Sequence, residues 1–330
     1  MPRTERLRGL LRSECPFLVA FGLAVVVRVL VMVAFPPAFL VSDGPTYLGF
    51  VDRLFPSPDR PVGYGAFLRM LSWATRSLAL VTATQLVLGL LTGVIAYALL
   101  RRWGVSPWVA MLASFPLLFD ALQLMLEHAV LSDILFGFLV MLAVGVMAWW
   151  QTPRLWTTAA GGLLLGAATL VRIVGEPMIL AAVLFLALAA TTWRTRMVHA
   201  FVVCLAFALP VTVYAGWYHQ ESGTWAITET SGRALYMRTT GFVDCSTLSL
   251  PSYERTLCPS DPLSDRLDPT WYGWHDADTV PKLQPPAGVS RDQAMKDFAI
   301  RAIKAQPLDY LKIAARDFAM AFVAPTRVDH

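Results

Sequence analysis

Long apolar runs separated by short polar loops dominate the first two thirds of the chain. Each run approaches the roughly 20 residues that a transmembrane helix needs, and few charges interrupt them. The pattern predicts seven membrane-spanning helices, at residues 16–35, 78–100, 107–122, 131–150, 155–171, 178–193 and 198–217. The fifth and sixth runs are short, and the alternative for them is a hairpin that does not cross fully.

Charge alternates between the ends of these predicted spans. The arginines that share a side with the arginine-rich N-terminal segment are Arg101, Arg102, Arg154, Arg194 and Arg196. Cytoplasmic loops are rich in lysine and arginine, so we expect a multi-pass protein of the plasma (inner) membrane with a cytoplasmic N-terminus. The first apolar run is too long for a signal peptide and lacks a clear cleavage site.

The last third of the chain changes to polar, proline-rich and aromatic sequence. Residues 224–228 alternate as a strand would, and two amphipathic helices are predicted to begin near Ser290 and Pro307. We therefore expect a mainly α fold in two parts. Residues 1–217 form a polytopic membrane helix bundle, and residues 218–330 form a small extracytoplasmic α+β region.

Composition excludes a soluble protein: 56% of the residues are hydrophobic, 15% are charged, and the mean hydropathy is +0.55. The net charge of +4 comes mostly from arginines at the ends of apolar runs. It is a topology signal, so we expect no nucleic-acid partner.

The four cysteines fall into two groups. Cys15 and Cys204 lie at or within apolar runs and are expected to pack there. Cys245 and Cys258 lie in the polar region, where a disulfide is expected if that region faces an oxidising compartment.

A polar loop follows the first apolar run and contains the densest chemistry. Asp43, Tyr47, Arg60 and Tyr64 lie within about 20 residues among turn-forming glycines and prolines. The loop is either a well-capped connection between helices or part of a site at the mouth of the bundle.

A second group of ionisable residues lies on the same predicted side. Glu127, His128 and Asp133 flank the turn between the third and fourth runs. Asp133 is either a site residue or a helix-dipole partner, and His128 is either a substrate contact or an ordinary loop histidine. Arg28 lies within the first run. It is expected either to pair with a carboxylate inside the bundle as a structural partner or to be a functional-site residue.

Arg172 ends the fifth run, and its simplest alternative role is an ion pair with Glu176 four residues later. A carboxylate near an acceptor hydroxyl acts as a base, and arginines bind phosphate oxygens well. The candidates are Asp43, Asp133 and Glu127 as catalytic carboxylates, Arg60 and Arg172 for a donor phosphate, and Tyr47, Tyr64 and His128 for substrate. This set suits transfer of a sugar from a lipid-linked phosphate.

The order of these motifs resembles the GT-C membrane glycosyltransferases, particularly the protein mannosyltransferases and lipid A aminoarabinose transferases. The matching residues are Asp43, Arg60-Pro61-Val62-Gly63-Tyr64, Leu131-Ser132-Asp133 and Leu170-Val171-Arg172. The resemblance covers residues 16–217 and implies a polyprenyl-phosphate sugar donor. It implies Asp43 as catalytic base, Asp133 on the acceptor or metal side, and Arg60 and Arg172 at the donor phosphate.

The chain departs from the family pattern at two positions. Val62 replaces the usual second proline, and a single Asp43 followed by Gly44 replaces an acidic pair. Two other functions stay open: a lipid-linked sugar transporter or flippase, and a non-catalytic assembly subunit. Also open are the sugar, the acceptor (glycan, lipid or protein), a divalent cation and a partner subunit.

Overall fold

The computed structural model describes the backbone of residues 3–320 and the side chains of residues 13–320. Over this range the chain forms helices and turns, and its only β-type pairing is an isolated parallel bridge between Phe39 and Ala129. The chain divides into two compact units, and the boundary lies between Ile227 and Thr228. Trp217, the boundary expected from composition, lies inside a helix.

The first unit contains the apolar runs and the loop between the first two of them. Its α-helices are α1 (Arg3–Ala34), α2 (Gly44–Leu48), α3 (Gly63–Ser72), α4 (Leu78–Arg102), α5 (Pro107–Phe119), α6 (Ala121–His128), α7 (Asp133–Ala148), α8 (Leu155–Val171), α9 (Met178–Ala189) and α10 (Trp193–Ser222). One 3₁₀ turn, Ile173–Gly175, connects α8 to α9. The expected mainly helical membrane bundle is confirmed.

Three described helices are long and apolar enough to cross a membrane: Ser13–Ala34, Leu78–Arg102 and Trp193–Ser222. The bent pair α5 and α6 adds a fourth if it is one broken span. The remaining apolar helices have 10–17 residues. At about 1.5 Å per residue they are shorter than the roughly 30 Å hydrocarbon core. The structure therefore supports three to four spans by length, and seven spans are not confirmed.

The bend between α5 and α6 has a local cause. Asp120 adopts an extended conformation that ends α5, and its carboxylate accepts a hydrogen bond from the Gln123 amide at 2.8 Å. Aspartate at this position satisfies an otherwise unpaired amide in the first turn of a helix. The second helix therefore leaves at 47° to the first. This bend directs Glu127 and His128 toward α1.

Glycines allow α8 and α10 to pack closely. A Cβ at Gly162 would lie 2.6 Å from the Val203 carbonyl oxygen, and one at Gly166 would lie 2.5 Å from that of Phe207. Both separations are too short for a real side chain, so only glycine permits this approach. Small residues spaced by four have this use in membrane bundles.

The second unit has its own core. Its α-helices are α11 (Ser231–Thr240), α12 (Pro269–Trp274), α13 (Arg291–Ala305) and α14 (Pro307–Met320). The side chains of Tyr236, Leu257, Tyr272, Leu283 and Phe298 are buried together. Cys245 and Cys258 are joined by a disulfide across 13 residues of sequence.

The expected α+β character of this region is wrong for the described residues. Residues 224–228 are irregular, with bends at Thr224 and Ile227, and the second unit contains no strand as far as Met320. A strand needs a neighbouring strand to satisfy its backbone groups. The other loops instead form short 3₁₀ turns at Cys245–Thr247, Ser252–Leu257 and Val280–Lys282, so none of these described loops offers a second strand for residues 224–228.

Candidate functional site

Asp43 lies on a tight turn that ends the connection from α1. The preceding residue, Ser42, has a φ of +50°, and Gly44 then packs against the Val130 carbonyl oxygen, 3.2 Å from where a Cβ would be. A side chain at position 44 would therefore fit only if its neighbours shifted by a few tenths of an ångström. The Asp43 carboxylate is 43% exposed and forms an ion pair with Arg60.

Arg60 is held by two groups. Its guanidinium pairs with Asp43 and lies over the Tyr47 ring, 5.2 Å from the ring centroid. Partial burial by itself lowers the pKa of Arg60, but the Asp43 carboxylate and the Tyr47 hydroxyl together outweigh burial and raise the pKa above its usual value. Arg60 is therefore a permanent cation in a defined place.

A second ion pair joins Asp133 to Arg172. Asp133 is the first residue of α7, and Arg172 follows α8 in an extended conformation. The Arg172 guanidinium lies 2.5 Å from the Asp133 carboxylate, and both side chains are about one third exposed. Arg172 therefore pairs with Asp133 in this structure, whereas the sequence left Glu176 open as its partner.

Two residues connect these ion pairs. The Tyr47 hydroxyl donates a hydrogen bond to the Ser132 hydroxyl at 3.0 Å. Ser132 also accepts a longer hydrogen bond, 3.4 Å, from Arg172. The two pairs thus belong to one polar network, which runs from Asp43 to Arg60, then through Tyr47 and Ser132 to Arg172.

Tyr64 and Gly63 position the loop that carries Arg60. The Tyr64 ring packs edge-on against the Tyr47 ring, with centroids 4.8 Å apart. A Cβ at Gly63 would lie 2.8 Å from the Val171 amide nitrogen. Because only glycine fits there, the loop reaches the end of α8, next to Arg172.

Glu127 does not join this network. Its side chain is fully buried and forms an ion pair of 2.7 Å with Arg28, which is also buried. Arg28 donates a further hydrogen bond to the Leu118 carbonyl at 2.8 Å. The bend before α6 turns Glu127 toward α1, so we withdraw it from the catalytic candidates. Arg28 has the structural partner that one reading of the sequence expected.

His128 is also buried, so we withdraw it from the substrate-binding candidates. Its Nε2 atom contacts the Phe35 carbonyl oxygen, and its ring packs against Phe39 at 4.9 Å between centroids. These contacts join α6 to the end of α1. A buried ring with backbone partners has no surface for a substrate.

Gln85 is a residue that sequence reasoning missed. It is fully buried in α4. Its carbonyl accepts a hydrogen bond from the Tyr64 hydroxyl at 2.6 Å. Its amide donates to the carbonyls of Glu127 at 2.9 Å and Ala129 at 2.7 Å. Gln85 thus joins α3 to the segment that leads to Asp133. The available signal was a lone amide within an apolar run.

Ser132 was also missed, although it lies within a motif that the sequence singled out. A serine before a helix is usually interpreted as a cap. Here its side chain forms no capping bond and instead receives Tyr47 and Arg172. Within residues 13–320, no group of three or more His, Cys, Asp or Glu side chains lies close enough to hold a metal ion.

A family model matches part of the first unit. Residues 72–224 match the family model described as dolichyl-phosphate-mannose-protein mannosyltransferase. That segment includes Asp133 and Arg172, and it begins after Asp43 and Arg60. No curated protein sequence matches the chain.

One solved structure shares the fold. It is described as the S. cerevisiae protein O-mannosyltransferase Pmt1-Pmt2 complex bound to the sugar donor. The match has 14% identity and a TM-score of 0.52, and it covers 76% of this chain and 37% of that chain. The two comparisons therefore confirm the resemblance to the GT-C membrane glycosyltransferases, through the fold of the covered part and through the mannosyltransferase model over residues 72–224.

Proposed function

We propose that the protein is an inverting membrane glycosyltransferase that moves one sugar from a polyprenyl-phosphate donor to an acceptor outside the plasma membrane. The observation that carries this proposal is the network of two aspartate–arginine pairs connected by Tyr47 and Ser132. It supplies one carboxylate as base and two fixed cations for a phosphate. The matched family model is named for a lipid-phosphate-mannose, so mannose is the sugar to test first.

The proposed reaction is a single displacement. The acceptor oxygen attacks the anomeric carbon, the bond from that carbon to the phosphate oxygen breaks, and Asp43 takes the acceptor proton. The bonding electrons leave with the polyprenyl phosphate, which needs no general acid. Because negative charge grows on the phosphate as it leaves, Arg60 and Arg172 stabilise the transition state more than the donor.

The ion pairs suggest how donor and base are coupled. Arg60 is occupied by Asp43 in the structure. A phosphate that binds Arg60 competes with this carboxylate and releases it toward the acceptor. A phosphate that binds Arg172 would in the same way release the Asp133 carboxylate. Donor binding would thereby convert a neutral ion pair into an available base.

A partner subunit is part of the proposal. The similar solved structure is described as a complex of two proteins. We therefore propose assembly with a second membrane protein. A non-catalytic assembly role for the chain itself remains the second candidate, because ion-paired carboxylates also suit a structural role.

Lipid-linked sugar profiling tests the function directly. In membranes that lack the gene, we expect one polyprenyl-phosphate sugar to accumulate. The purified protein should release free polyprenyl phosphate from that donor when membrane extract supplies the acceptor. An unchanged lipid profile together with no release would reject the transferase proposal.

Topology is a separate prediction. We propose seven crossings in the plasma membrane, with the N-terminus in the cytoplasm and the C-terminal region outside. In a background with Cys15 and Cys204 replaced by alanine, a cysteine at Ser264 should react with an impermeant reagent in intact cells. A cysteine at Thr152 should react only after lysis. Both positions are exposed, and labelling of Thr152 from outside would contradict the arrangement.

A further inference from the structure

An apolar groove of about 390 Å³ lies between α4, α7 and α8, at the far end of α4 from Gln85. Arg102 ends α4, 17 residues after Gln85, which is about 25 Å along the helix. The lining residues are all apolar: Val94, Ile95, Ala98, Leu142, Gly145, Val146, Trp149, Trp150 and Trp156. The groove is therefore separate from the polar network.

Two arginines lie at one end of this groove. The Arg154 guanidinium lies 3.6 Å from the centroid of the Trp150 ring, and that of Arg102 lies 5.7 Å from the same centroid. Arg102 also donates to the Trp149 carbonyl at 3.2 Å. Both guanidiniums thus contact residues that line the groove. Arg102 and Arg154 are themselves exposed.

Among the side chains that the structure describes, no carboxylate pairs with the two arginines at this end of the groove. Residues 101–107 and 149–155 contain no aspartate or glutamate. The neighbouring Arg101 is different, because it pairs with Glu14 at 2.7 Å and also binds the Val105 carbonyl. Arg102 and Arg154 therefore leave positive charge without a carboxylate partner at this end of the groove.

We propose that this groove binds an anionic phospholipid, with its phosphate between Arg102 and Arg154. One acyl chain would lie along the small residues Ala98 and Gly145. Tryptophan is enriched at the headgroup level of a bilayer, and basic pockets between helices bind anionic headgroups. A zwitterionic lipid carries its own cation and would leave the two arginines less well neutralised. An anionic phospholipid matches both features of the site, because its phosphate would pair with the arginines and its acyl chain would cover the apolar surface.

Native mass spectrometry of the full chain in detergent tests the proposal. We expect phosphatidylglycerol to bind more tightly than phosphatidylcholine with the same acyl chains. Replacing Arg102 and Arg154 together by glutamine should weaken phosphatidylglycerol binding about tenfold or more, because each arginine near an anionic headgroup adds to the binding free energy. The matched control replaces Arg194 and Arg196 by glutamine, which removes the same charge outside the groove.

A second variant separates a shaped site from general charge attraction. Ala98→Leu keeps every charge and fills part of the groove, so it should also weaken phosphatidylglycerol binding. Several results would overturn the proposal: equal binding of the two lipids, equal loss in the Arg194/Arg196 control, or no effect of Ala98→Leu. Tighter binding of polyprenyl phosphate than of phosphatidylglycerol would also overturn it. None of these readouts depends on transferase activity.

Discussion

Asp43→Asn should lower sugar transfer by about 100- to 10,000-fold, the usual range for loss of a general base. Asparagine keeps the shape of the side chain and serves the same turns, but it does not accept the acceptor proton. Stability should change little, because the Asp43–Arg60 pair is partly exposed and such pairs contribute about 0–1 kcal/mol. The measurement is release of polyprenyl phosphate by the purified variant and by the wild type.

Asp52→Asn is the matched control for this experiment. Asp52 pairs with Arg76 at 2.9 Å, and both side chains are about three-quarters exposed. The same chemical change there should leave transfer nearly unchanged. If Asp43→Asn also retains wild-type turnover, Asp43 is a turn residue. Asp133 or the assembly-subunit reading then becomes the better explanation.

Glu127→Leu should destabilise the protein strongly. It would leave the Arg28 guanidinium buried without its carboxylate, and breaking a buried pair in this way costs about 3–5 kcal/mol. Both side chains are buried, so bulk solvent does not reach the site to replace the lost partner. The expected result is a lower midpoint of unfolding, measured by denaturant titration in detergent.

The double variant with Arg28→Leu and Glu127→Leu distinguishes a structural pair from a catalytic carboxylate. Removing both charges should recover much of the lost stability, because no unpaired ion then remains. Arg76→Leu, in the exposed Asp52–Arg76 pair, is the control and should cost less than about 1 kcal/mol. An unchanged midpoint for Glu127→Leu, combined with lost transfer, would restore Glu127 to the catalytic candidates.

The helical membrane bundle was predictable because it depends on local sequence. Apolar runs must satisfy their backbone groups internally in lipid, which makes them helices. The Arg60-Pro61-Val62-Gly63-Tyr64 motif predicted a loop that supports the site, and Gly63 does pack closely against α8. The strand at residues 224–228 was wrong because strand formation depends on a distant partner.

The partners of the charged groups were not predictable in the same way. Glu127 and Asp133 are six residues apart and equal in chemistry, and the sequence assigned both to one site. The structure separates them, because Ala129 leaves the helix in an extended conformation and α7 begins anew at Asp133. One carboxylate faces Arg28, and the other faces Arg172.

By itself, then, the sequence determined the helices, the alternation of charge and the order of the motifs, since each follows from neighbouring residues. Only the tertiary structure decided that Asp43 pairs with Arg60, that Tyr47 connects to Ser132, and that Gln85 supports Tyr64. These contacts join residues up to 85 positions apart along the chain. Their geometry depends on how whole helices pack, and no local pattern carries that information.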